Sequence, residues 1–97
     1  MKALKFSPAA KADITGIWRY SADQWGPDQA DRYTDDLRDT CNALAAGRKK
    51  GRAVEIRPGY LKCPCGSHVI YFKDQGDRLD VIRILHSRMD VMQHLHS

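Results

Sequence analysis

Between Ser7 and Gly47 the chain carries two apolar stripes at helical spacing, and only Gly26-Pro27 stands between them. Ser7-Pro8 is a helix start, with a hydroxyl to accept an amide bond and a Pro where no amide donor is needed. Ile14, Ile17, Trp18, Ser21 and Trp25 form the first stripe, and Ala30, Tyr33, Leu37, Cys41 and Leu44 the second. A junction this short forces the two helices back on each other as an antiparallel hairpin. Trp18 and Leu37, mid-stripe, are expected in the core.

After Gly47 the period changes. Ala53–Arg57 and Tyr60–Cys63 read as short extended pieces about Pro58-Gly59. Ser67–Lys73 and Arg78–His86 are rich in Val, Ile, Tyr and Phe and are joined by Asp74-Gln75-Gly76-Asp77, a hairpin signal. Residues 3–6 read as a strand and Met89–Leu95 as a short terminal helix or cap. Helices grouped together and then strands grouped together give an α+β fold. The expected form is an N-terminal strand, then a helical hairpin on a small, mostly antiparallel four-stranded sheet.

At 97 residues and 42% hydrophobic content, residues 1–97 are expected to form a single domain. The longest apolar run, Val69–Phe72, is too short to span a membrane, and no apolar segment precedes Pro8 as a signal peptide would require. The expected location is the cytoplasm. Cys41, Cys63 and Cys65 are odd in number and C-P-C lacks zinc-knuckle or redox-pair spacing, so they read as reduced thiols. No cofactor motif occurs, and His94 and His96 lack further partners for a metal.

Charge is segregated. Residues 13–39 hold seven acids and three bases, whereas residues 48–62 hold six bases and one acid. An acidic second helix excludes a helix-turn-helix reader, so sequence-specific DNA binding is not expected. The sheet face away from the hairpin is expected to leave an apolar groove rimmed by Arg57, Tyr60, Lys62 and Arg83, suited to an acidic amphipathic segment of a partner. His68, His86, His94 and His96 are the acid–base candidates. His86, closing a strand beside Arg83 and Arg88, would suit phosphodiester chemistry, with Arg83 holding phosphate and His86 moving a proton. The alternative is that His86 packs at the strand end.

Five segments identify a resemblance. F-S-P-A-A-K-A-D-I at 6–14, W-G-P-D-Q-A at 25–30, I-R-P-G-Y-L-K at 56–62, G-S-H-V-I-Y-F at 66–72 and V-I-R-I-L-H-S-R-M-D-V at 81–91 run in the order of the ParE toxins. The chain thus resembles the ParE branch of the RelE/ParE superfamily, toxin halves of bacterial toxin–antitoxin pairs, whose fold is a helical hairpin on a small antiparallel sheet. The resemblance implies a ParD-like antitoxin as partner and DNA gyrase as target, an inhibitor rather than an enzyme. Arg57, Tyr60, Lys62, Arg83, His86, Arg88 and Met89 are then the expected antitoxin- or target-binding residues. The alternative it carries is a ribosome-dependent messenger ribonuclease using His86 and Arg83, although the Lys and Glu positions of those ribonucleases find no match here.

Overall fold

The structure, a computed structural model, describes residues 2–55, 57–89 and 94–95. Its elements are β1 (Ala3–Phe6), α1 (Pro8–Trp25), α2 (Pro27–Ala45), β2 (Arg52–Ala53), β3 (Leu61–Cys65), β4 (His68–Asp74) and β5 (Arg78–His86). The two helices lie on one face of a sheet ordered β1-β5-β4-β3-β2.

Local chemistry fixes the hairpin. Ser7 Oγ accepts from the Ala10 amide at 3.0 Å and donates to the Ile82 carbonyl at 2.6 Å, so the cap that starts α1 also ties it to β5. Gly26 closes α1 by donating to the Ala22 carbonyl and opens α2 by accepting from Ala30. Its φ of 95° lies where a side chain would be strained. Pro27 then occupies the first turn of α2, where its missing amide is no loss.

The sheet has five strands where the sequence suggested four. The N-terminal strand joins it as an edge, parallel to β5, with Ala3 opposite Arg78 and Phe6 opposite Val81. The piece expected over Ala53–Arg57 shortens to Arg52–Ala53. Beyond it the backbone closes on itself, Val54 N–H donating to the Tyr60 carbonyl and Arg57 N–H to that of Val54, so those groups serve a turn and not a ladder. The helix or cap expected over Met89–Leu95 falls mostly outside the described residues.

Each sheet face has its own core. Between the hairpin and the sheet, Ala10, Ile14 and Ile17 of α1 and Leu37 and Cys41 of α2 pack with Ile70, Phe72, Val81 and Ile84. On the far face Val54, Tyr60, Tyr71 and Leu85 pack with Leu95. A bulge serves both: Tyr71 pairs with Arg83 but Phe72 with Val81, leaving Ile82 as the extra residue. Val81 and Ile84 therefore both join the hairpin-side core, while Ile82 and Leu85 join the other.

The first helical stripe is corrected at its end. Beyond Ser21 it leaves the core, and Trp25 is 61% exposed, its ring edge-on to the equally open Tyr20. Trp18 is only half-buried, its Nε1–H donating to Asp31 at 2.8 Å, whereas Leu37 is fully enclosed.

Candidate functional site

The far face of the sheet does not hold the expected groove. Leu95 occupies it, Tyr60 is buried beneath, and Arg57 donates to the Leu95 carbonyl. Arg83 forms a two-pronged ion pair with Asp13 of α1, Nε to Oδ2 at 2.8 Å and Nη2 to Oδ1 at 2.9 Å. Its remaining nitrogen donates to the His94 carbonyl, and Asp13 also accepts the Ile84 amide. With each of its three nitrogens bonded, the Arg83 guanidinium is anchored to α1 and not poised for phosphate beside His86. Lys62 is exposed on β3, opposite Arg52.

An apolar groove does exist, on the hairpin side, where the last turns of α1 and the start of α2 pass the ends of β4 and β5. Its volume is about 690 Å³, and Ile17, Tyr20, Trp25 and Met89 supply much of its wall. The polar floor is built by α2 reaching the sheet. Tyr33 Oη accepts the Ser67 amide at 3.0 Å and lies 2.7 Å from Nδ1 of His68. Gly66 makes this approach possible, since a Cβ there would stand 2.7 Å from the Tyr33 oxygen. His68 and His86 are opposite residues of β4 and β5, and their rings meet edge-to-face at 5.4 Å.

Protonation follows from these contacts. Burial raises the Tyr33 pKa, which keeps it a neutral phenol. Its hydroxyl faces both Nδ1 of His68 and the Cys65 carbonyl, the latter at 3.5 Å. The Arg88 amide donates to Nδ1 of His86 at 3.2 Å, so that nitrogen's lone pair is engaged by the protein. Met89, exposed, lines the groove, and the exposed Arg88 precedes it in the chain.

The comparisons with known proteins now have a structure to rest on. The family model for the ParE toxin of the type II toxin–antitoxin system parDE matches residues 4–91. The chain belongs to the ParE toxin family. Toxin ParE1 of Mycobacterium tuberculosis is 45% identical over 91 residues, covering 92% of this chain and 93% of that protein. Toxin ParE1 of Caulobacter vibrioides is 40% identical over 96 residues, covering 98% of this chain and 99% of that one. Among solved structures, one described as the chromosomal ParDE system from P. aeruginosa superposes with a TM-score of 0.78 at 24% identity, covering 89% of this chain and 96% of that one. A chain of the E. coli DinJ-YafQ toxin–antitoxin complex superposes with a TM-score of 0.61 at 12% identity, covering 88% of this chain and 91% of that one. At such identities both show a shared fold.

In this ParE-family toxin the groove joins His86 and Met89, at and just beyond the end of β5, with residues that sequence reasoning did not assign to a site, while Arg88 lies outside its lining. Tyr20 and Trp25 were the legible ones: two large aromatics near the end of an otherwise thinly apolar helix. Tyr33 read as core, because nothing local shows that its hydroxyl reaches Ser67 and His68.

His68 gives the site a pH signature. Burial lowers its pKa from the ordinary 6.5, His86 lowers it further and Asp13 opposes. The unfolded chain then takes up this proton at a higher pH than the folded chain. The stability due to neutral His68 is therefore complete above the unfolded pKa and is lost as pH falls through the window down to the depressed value. The wild-type melting temperature is expected to fall more than that of His68→Gln between about pH 7.5 and 5. Parallel curves would show that His68 does not contribute.

Proposed function

We propose that this type II toxin acts in the cytoplasm, is neutralised by a ParD-like antitoxin, and arrests growth by inhibiting DNA gyrase rather than by cleaving RNA. The observation that carries this reading is the apolar groove, whose open aromatic wall suits a protein segment while the Nδ1 lone pair of His86, the general-base candidate, is taken by the Arg88 amide. A general base must offer such a lone pair to the proton it removes. The structure agrees in one more respect: Arg83, the phosphate-holding candidate, is bound to Asp13.

Docking of an amphipathic antitoxin segment along Ile17, Tyr20 and Trp25 would cover the exposed aromatics, with His86 and Met89 at the groove's end. Both structural neighbours come from toxin–antitoxin systems, and we extend that arrangement to this chain. Among the described residues no helix is long and apolar enough to cross a membrane.

Messenger cleavage is the competing reading, and the adjacent His68 and His86 rings are what favour it. Induced expression of the chain alone is expected to stop bacterial growth, and co-expression of its antitoxin to restore it. With purified protein, gyrase supercoiling and cleaved-complex assays form one arm, and messenger cleavage on translating ribosomes the other. Gyrase inhibition is expected to persist in a folded His86→Ala protein. Codon-specific cleavage that drops about 10²–10⁴-fold in His86→Ala, with gyrase unaffected, would establish the ribonuclease instead.

A further inference from the structure

The edge of the sheet farthest from β1 carries a cluster of cations with few partners in the fold. Arg52 and Lys62 are directly opposed across the β2–β3 pair, both exposed. Like charges in that position repel and lower stability. Among the described residues no carboxylate comes within ion-pair distance of either. Lys62 stands opposite Tyr71, and Lys73, two residues along β4, falls on the same sheet face with its ammonium 4.6 Å above the Tyr60 ring. Arg48, Lys49 and Lys50, all exposed, lead into this edge. Residues 48–73 hold seven Lys and Arg against the single acid Glu55.

The same face offers little else to a ligand. Its apolar residues Tyr60, Tyr71 and Leu85 are buried with Leu95, and Arg57 is committed to the Leu95 carbonyl. A protein partner would want an apolar anchor pocket, and a single nucleic-acid strand would want open aromatic rings. The phosphate backbone of a duplex wants only an array of cations on a firm support. We infer that Arg52, Lys62 and Lys73, extended by Arg48–Lys50, form a binding surface for duplex DNA phosphates that does not read sequence. The inference deepens the gyrase reading, on which it rests for its setting: a toxin that holds gyrase on cleaved DNA has that duplex beside it.

Fluorescence anisotropy of the full-length protein with a short labelled duplex of arbitrary sequence tests it, titrated at salt from about 50 to 200 mM. Four or five phosphate contacts correspond to a slope of log Kobs against log salt of about −4, at roughly 0.9 per phosphate. The triple variant Arg52→Gln, Lys62→Gln, Lys73→Gln is expected to flatten that slope by about 3 and to weaken low-salt binding by at least about tenfold. Relief of the Arg52–Lys62 repulsion offsets loss of the Lys73 contact with the Tyr60 ring, so the variant is expected to stay folded, which its thermal melt checks. Lys11→Gln with Arg19→Gln, on exposed positions of α1, is the control and is expected to bind as wild type. No anisotropy change at low salt would mean that the cations only guard a sheet edge and would overturn the inference. So would equal losses in both variants, or polyglutamate competing as well as unlabelled duplex. The titration contains no gyrase, so its failure and a failure of the supercoiling assay are separately visible.

Discussion

Leu37→Ala is expected to remove a large share of the protein's stability, while Trp18→Ala stays folded with a modestly lower melting point. Leu37 is 0% exposed and packs within the core between α2 and the sheet. Truncating such a side chain costs about 2–5 kcal/mol, transfer and cavity terms together. At roughly 0.05–0.15 kcal/mol per residue a chain this short has only about 5–15 kcal/mol in all. Trp18 is the larger side chain but sits half-open on the outside of the hairpin, where its loss removes one hydrogen bond to Asp31 and leaves no enclosed cavity. Urea denaturation of both variants, followed by far-ultraviolet circular dichroism, orders them. A Trp18→Ala midpoint below that of Leu37→Ala would contradict the packing described for α1.

The second large effect belongs to Asp13. Its carboxylate receives two bonds from the Arg83 guanidinium and one from the Ile84 amide, binding α1 to the middle of β5. The side chains are 14% and 23% exposed, so the pair is mostly but not wholly out of water. Breaking a fully buried pair costs about 3–5 kcal/mol, and partial exposure brings the expected loss for Asp13→Ala down to about 2–3 kcal/mol. Much of that is the uncompensated guanidinium, so Arg83→Met placed on top of Asp13→Ala should recover part of it. A double-mutant cycle from denaturation midpoints reads the coupling directly. Strictly additive losses would show that the two groups act independently.

These variants also mark what the sequence made legible. Ser7, Gly26-Pro27 and Asp74–Asp77 are punctuation whose chemistry is local, and β1, both helices and the β4–β5 hairpin emerged where that punctuation put them. The bulge at Ile82 was not legible, because it settles a competition between two cores that only the assembled sheet creates. Pairing of β1 with β5 was equally hidden, since no turn joins them. The site divided along the same line. His86 and Met89 lie close along the chain and were named together, whereas Tyr33, His68 and Trp25 line the same groove from other elements. Arg57 and Arg83 were picked for their charge; Arg57 bonds the Leu95 carbonyl on the far side of the sheet, and Arg83 ties α1 to β5.

The place of β5 between β1 and β4 has a consequence for how the toxin is made. On the ribosome, β1 and the hairpin emerge first, yet the strand that β1 pairs with and that receives Ser7 and Asp13 is the last to be synthesised. Until Arg78–His86 has cleared the exit tunnel, the earlier segments have no seam to close on, and the apolar faces of both helices wait uncovered. A nascent chain interrupted before that strand lacks the seam on which β1 and α1 close.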